Sequence, residues 1–473
     1  MTPTPSRRVV VVLVLVLAVA AAAFVDRAGR PAPPSVAAVG QGPHASARDS
    51  LSSSWYCPGG PSAGSAFQTM VSVLNPGAER AKGTITVFPS GAAPVTKALD
   101  VGPASARSIA LNSMASAPWL SALVDMEGGG TVVEQLVTGG PGMDTSPCSP
   151  AASQQWYFAS GSTAKDAVQT LALFNPFPDD AIVDLAFVTG EGRRVPGDFQ
   201  GLVVPSRSVR AVDIGAHVRR QDVVSTEARA RSGRVVAGQL LVRSAPGAAE
   251  VSSTLGAPAP GEQWYFPDGL VAAGVNERYE FFNPGGQEAR VDLALALEKG
   301  EAEPFEVTVP PQGRFTLNLG QESRVPKDVA HAAVAESVNG VPVVVERVLE
   351  AGPPSSRQGR ADTLGARAPA RQWAFAFGSS DEHSDEWVVV QNPGTGRAVV
   401  SFTALVDGRR VALEGMQNVV VAAGTRLSFR LGDHIKRGEL PLVVSSTKPV
   451  VMERSWYAIG GPGLSASLGV PLD

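Results

Sequence analysis

Along most of the chain, apolar and polar residues alternate with a period of two, and Gly, Pro or Asn interrupts the pattern every few residues. Val183, Leu185 and Phe187 alternate with Asp184 and Ala186. Val291, Leu293, Leu295 and Leu297 alternate with Asp292, Ala294 and Ala296, and Val400 and Phe402 with Ser401 and Thr403. Such alternation turns one face of an extended strand into a core and leaves the other outside. Further strands are predicted at 171–174, 307–309, 314–319, 387–390 and 419–421. Around seven short strands per unit of about 105 residues is the pattern of an immunoglobulin-like β-sandwich.

One stretch has a different character. Residues 9–25 are an unbroken apolar run of 17 residues behind Arg7 and Arg8. It predicts a single N-terminal helix, near the short limit for spanning a bilayer, with its positive flank kept inside. The alanine-rich stretch 18–23 also suits cleavage, so the helix is either an anchor or a removable signal. Both alternatives export the rest of the chain. Residues 26–54 carry Pro31, Pro33, Pro34, Gly40 and Gly42 with few large apolar side chains, which predicts a flexible stalk.

The strands are organised by repetition. An aromatic opening recurs as Trp55-Tyr56-Cys57, Trp156-Tyr157-Phe158, Trp264-Tyr265-Phe266 and Trp373-Ala374-Phe375. Asn-Pro follows each Trp after 19 or 20 residues, at Asn75, Asn175, Asn283 and Asn392. An Arg then recurs at Arg107, Arg207, Arg314 and Arg426, and each unit closes on a Val-rich run ending in Glu134-Gln135, Gly238-Gln239, Glu346-Arg347 or Glu453-Arg454. The predicted organisation is an N-terminal helix (1–25), a stalk (26–54) and four tandem β-sandwich repeats at 55–150, 151–258, 259–367 and 368–473. Pro ends a strand because it has no N–H for the ladder, so Asn-Pro reads as a turn device. The recurrent Arg reads as a structural residue that lays its stem on a sheet and pairs with the Glu of the last strand.

Composition narrows the function classes. A formal charge of -4 offers no basic footprint for nucleic acid. The two cysteines, Cys57 and Cys148, form an even pair outside the cytoplasm, most simply one disulfide. His44, His217, His331, His383 and His434 never fall at metal-ligand spacing, and no nucleophile elbow, Walker loop or dinucleotide fingerprint is present. No cofactor is expected. A weak metal candidate is the acidic hexapeptide containing Asp381, Glu382, Asp385 and Glu386, which lacks the glycine-punctuated alternation of calcium loops. The remaining candidate site is the set Trp55, Tyr56, Trp156, Tyr157, Trp264, Tyr265 and Trp373, as ligand platforms for sugar rings or as contacts between repeats.

These openings and Asn-Pro steps resemble an actinobacterial family of exported proteins classed as a domain of unknown function, and more broadly bacterial surface repeats that open W-Y-F-A-x-G and continue to N-P. The resemblance covers 54–473, with Trp156-Tyr157-Phe158-Ala159-Ser160-Gly161 the nearest copy. Cys57 and Ala374 depart from it in repeats 1 and 4. It implies an envelope location and a sandwich fold, and brings no reaction or catalytic residue. The expectation is a non-catalytic cell-envelope protein, extracytoplasmic and either anchored to the plasma membrane by its N-terminal helix or secreted. It would act as a rod or arc that spaces or scaffolds an unknown envelope protein. The alternatives are an array that binds cell-wall glycan through exposed Trp and Tyr and, third, an envelope hydrolase with scattered carboxylates.

Overall fold

The computed structural model describes residues 42–62, 66–140, 142–245 and 248–472. The expected helix and residues 26–41 of the expected stalk lie outside them. None of the described helices is long and apolar enough to cross a membrane. The described chain is all-β, with short 3-10 turns between strands.

In repeat 1 the strands are β1 (Ser52–Pro61), β2 (Gln68–Asn75), β3 (Ala81–Pro89), β4 (Val95–Val101), β5 (Ser105–Ala110), β6 (Trp119–Glu127), β7 (Val132–Gly139) and β8 (Gly142–Pro147). They form two antiparallel sheets, ordered β1-β6-β3-β4 and β5-β2-β7-β8. The same pairings recur in the later repeats. In repeat 4 one strand, Leu442–Ala458, runs through both sheets as the counterpart of β6 and β7 together. Inward residues such as Val71, Val73, Ile85, Val87 and Val124 join the first core, as alternation predicts.

The connectivity corrects the immunoglobulin-like expectation. An immunoglobulin sheet sets the first strand beside the second, whereas here β1 pairs with β6, and the β7–β8 hairpin takes the place beside β2. This displacement brings β8 to the middle of the molecule. There it meets its counterparts Ala248–Leu255, Gly359–Leu364 and Leu464–Leu468, which touch in the cyclic order 1-2-3-4-1.

The four repeats therefore close on themselves, in place of the expected rod or arc. The core of repeat 1 includes Ala374, Ala376, Leu405 and Val443 of repeat 4. The core of repeat 2 takes Phe88 and Trp119 from repeat 1, and that of repeat 3 takes Tyr157 and Val188 from repeat 2. Residues 42–54 are also not a free stalk: Ala45 N–H donates to the Pro471 carbonyl, and Ser52, Ser53 and Ser54 pair with β6. Backbone hydrogen bonds at both ends of this segment hold it to the ring.

Each Asn-Pro step is held by its own Asn. Asn75 Nδ2 donates to the Glu79 carbonyl at 2.7 Å while its Oδ1 accepts from Gly77 N–H, and Asn175, Asn283 and Asn392 repeat the pattern. The recurrent Arg is not one position. Arg314 faces Phe282 and Arg426 faces Gln391, each one residue before its Asn, but Arg107 faces Val73, two residues before Asn75, and Arg207 lies in the preceding turn at φ 49°. None pairs with the Glu of its own last strand: Arg107 reaches the Asp100 carbonyl, Arg314 reaches Glu280, and Arg426 crosses into repeat 3.

Candidate functional site

The four openings divide their labour. Trp55, Trp156, Trp264 and Trp373 are at most 2% exposed, each inside its own sandwich. Three of them donate from Nε1 to a carbonyl at the start of the Val-rich run: Val235, Val343 and Val450, at 2.8–2.9 Å. No Trp of the set offers a face to a sugar. The Tyr residues reach the next repeat. Tyr56 packs on Phe177 and Tyr157 on Phe282, with ring centroids 6.3 and 6.2 Å apart, and Tyr265 joins the core of repeat 4. Ala374 takes that role toward repeat 1.

The third opening residue explains the cysteines. Phe158, Phe266 and Phe375 lie over Gly256, Gly365 and Gly469, so closely that a Cβ there would meet the ring at 2.6–2.9 Å. Cys148 N–H donates to Val133 just as those glycines donate to Ala237, Val345 and Met452, so Cys148 stands at the Gly position. Cys57 stands at the Phe position, and the two form a buried disulfide with Cα atoms 4.6 Å apart. A covalent bond in repeat 1 replaces a ring-on-backbone contact in the others.

The acidic hexapeptide does not converge. Asp381 Oδ1 accepts from His383 and Ser384 N–H, Asp385 pairs with Arg430 and Tyr457, Glu382 is exposed, and Glu386 is buried. Among the described residues no three His, Cys, Asp or Glu come together to hold a metal.

Charge is concentrated instead at the joints, where the opening loop of one repeat caps a carboxylate of the next. Glu346 of repeat 3 accepts from Ala159 and Ser160 N–H and from Ser160 Oγ of repeat 2. Glu453 of repeat 4 accepts from Asp268 N–H of repeat 3, and Glu134 of repeat 1 accepts from Ala376 and Phe377 N–H of repeat 4. In repeat 2 the same position is Gly238, against which Pro58 packs. The ring is thus one joint made four times, three times with a buried carboxylate in a cradle of backbone donors.

The joints are tuned differently. Burial lifts Glu346 to about 7, against its hydrogen bonds from Ser160 and Ala159. Burial lifts Glu386 to about 8, with Arg454 and the Ser379 backbone N–H opposing and Glu134 adding to it. Between repeats 3 and 4 the charges pair. Arg347 binds Glu453, and His331 Nε2 lies 3.0 Å from Glu277, which also accepts from Tyr279 at 2.8 Å. Burial pushes Asp268 and Glu277 upward, but Arg426 for the first and His331 for the second, each with Arg347 contributing, hold them below the usual carboxylate range. His331, Glu277 and Tyr279 are all 0% exposed, so this triad has no route to a substrate.

Clefts open on the ring among the described residues. One, of about 640 Å³, lies among repeats 2, 3 and 4, where Arg243 bridges to Glu250 at 3.1 Å. Another, of about 650 Å³, lies between repeats 4 and 1, lined by Phe377, Trp456, Met70 and Leu136 with Asp407, Arg437 and Glu439. The sequence pattern contained no sign of either, since their walls come from different repeats.

Residues 129–346 match the profile of a family of unknown function (DUF5719). No curated protein matches the chain. Among solved structures, a Thermotoga maritima protein, 1070, is 25% identical over 22% of this chain and 93% of its own, with a TM-score of 0.21. The Anabaena sensory rhodopsin transducer is 22% identical over 19% of this chain and 83% of its own, with a TM-score of 0.17. Over less than half its length, the chain is similar to a family described only as being of unknown function.

Proposed function

We propose that this chain is a non-catalytic protein of an actinobacterial-type cell envelope, exported behind an N-terminal helix and either tethered by it or released, whose tandem sandwich repeats form a protein-interaction scaffold. The observation that supports it most is the fourfold joint. Buried Glu134, Glu346 and Glu453 and the paired Arg347 are committed to holding repeats together. A ring closed by such contacts is a stiff platform, and it displays four related but unequal outer surfaces to partners. The aromatic openings serve packing, which leaves the glycan reading without its Trp platforms.

Two measurements test the proposal. Fractionation of cells making the full chain with a C-terminal tag should place it in the envelope, with the tag open to external protease; a cytoplasmic pool would reject the export reading. Co-sedimentation of the full chain with washed envelope sacculi should show no saturable pelleting. Saturable pelleting would move the assignment to wall-glycan binding.

A further inference from the structure

The internal repetition shows what the cleft between repeats 4 and 1 is shaped to hold. At the joint of repeats 3 and 4 the corresponding space is filled by the Arg426 side chain, 4% exposed. Its Nε donates to the Pro267 carbonyl at 3.0 Å, its Nη2 to Asp268 at 2.9 Å and its Nη1 to Glu298. Strand register gives the counterparts at the closing joint. Arg426 faces the residue before Asn392, and its counterpart facing the residue before Asn75 is Ala106. Pro267 and Asp268 correspond to Ala376 and Phe377, since each pair lies three and four residues after its Trp and leads into a loop held by the next repeat's Glu. Glu298 corresponds to Asp407, each 15 residues after its Asn. The closing joint thus keeps the carbonyl and the outer carboxylate of an arginine cradle, exchanges the inner carboxylate for an aromatic ring, and has a methyl group in place of the arginine. The result is the cleft of about 650 Å³.

We propose that this cleft binds an alkyl cation of the guanidinium class, taking from outside the group that the neighbouring joint supplies from within. The alkyl stem lies against Met70 and Leu136, the cation meets the Asp407 carboxylate and the Phe377 and Trp456 rings, and Glu439 adds negative charge at the rim. Arg437 already donates to Asp407 Oδ2 at 2.9 Å and leaves Oδ1 open to a second donor. The Ala376 carbonyl accepts one hydroxyl, from Ser72 at 3.1 Å, and retains a lone pair. The site stands independently of the scaffold reading.

Titration calorimetry on the full chain in mild detergent tests it with butylguanidinium and its neutral isostere butylurea. The expected result is saturable one-to-one binding of the cation, with the urea at least ~10-fold weaker. Ala106→Arg should abolish binding by filling the cleft from within. Equal affinity for the two probes, no saturation up to about 10 mM, or undiminished binding in a folded Ala106→Arg variant would overturn the proposal. Should Ala106→Arg fail to fold, Asp407→Asn, an exposed change, is expected to weaken the cation at least ~3-fold and leave the urea unaffected; an unchanged cation affinity rejects the site. Agmatine and a capped Gly-Arg-Gly peptide then distinguish sources. Binding of the peptide assigns the cleft to a partner protein's arginine, binding of agmatine alone assigns it to a free cation, and binding of neither overturns the proposal.

Discussion

At the scale of single residues, the recurring landmarks are structural devices. Trp156 fills a sandwich and satisfies its N–H on Val235, so Trp156→Ala should cost about 3–5 kcal/mol in urea unfolding. Gly365→Ala sets a methyl 2.6 Å from the Phe266 ring and should cost about 1–3 kcal/mol by the same assay. The exchange of Phe and Gly for two cysteines in repeat 1 predicts its own transplant: the double variant Phe158→Cys, Gly256→Cys should form a second disulfide, seen as loss of both free thiols under non-reducing conditions. Removing the native bridge, which spans 91 residues, should cost about 4–5 kcal/mol as an upper figure. These positions were legible because each needs a particular side chain. Asn75 must both donate and accept at its turn, and a Trp must fill a large interior space. The recurrent Arg is deceptive because an equal offset conceals a different place: Arg107 and Arg207 each follow their Asn by 32 residues, yet one lies on a strand and the other in a turn.

At the scale of elements, the joints link the fold to pH. Glu346 and Glu386 have folded values near 7 and 8, above the ordinary 4.5. A raised carboxyl stabilises the fold fully below its unfolded value, and that contribution disappears as pH rises through the folded value, here between about pH 4.5 and 8. Glu350, held near 2 because Arg360 and Arg278 overcome its burial, works in the opposite sense: its contribution is present above pH 4.5 and lost as pH falls toward 2. Asp268 and Glu277 add to this acid-side loss. Stability should therefore peak in the weakly acid range, and thermal unfolding from pH 4 to 9 measures it. Glu386→Gln should flatten the fall between about pH 4.5 and 8, by on the order of 3–5 kcal/mol over that whole window. A slope unchanged in that variant would place the titration elsewhere. Strands and turns could be read from alternation, but the joints could not. Each joint carboxylate is met by backbone N–H groups of another repeat, and a backbone donor leaves no mark in the side-chain pattern.

At the scale of the molecule, closure makes every repeat depend on two neighbours. A chain ended after Leu364 would uncover the face of repeat 1 that receives Ala376, Leu405 and Val443, and would leave Arg347 buried without Glu453. Such a truncation should lose the single cooperative transition expected of the ring and bind a hydrophobic dye. The intact ring should scatter X-rays as a compact body with a radius of gyration of about 22 Å, well below that of four sandwiches in a line. Repeat number and strand content were open to inspection in the sequence. Closure was hidden, because it depends on the β7–β8 hairpin and its counterparts leaving immunoglobulin order to meet at the centre.

The hydrogen bond from Ala45 to Pro471 sets the two ends of the described ring side by side. Where a circle of like parts is cut is then a matter of genetic history. A gene rearranged to start at repeat 3, with a short linker from residue 472 to residue 42, should yield the same four joints and the same melting profile. The wheel has no first spoke.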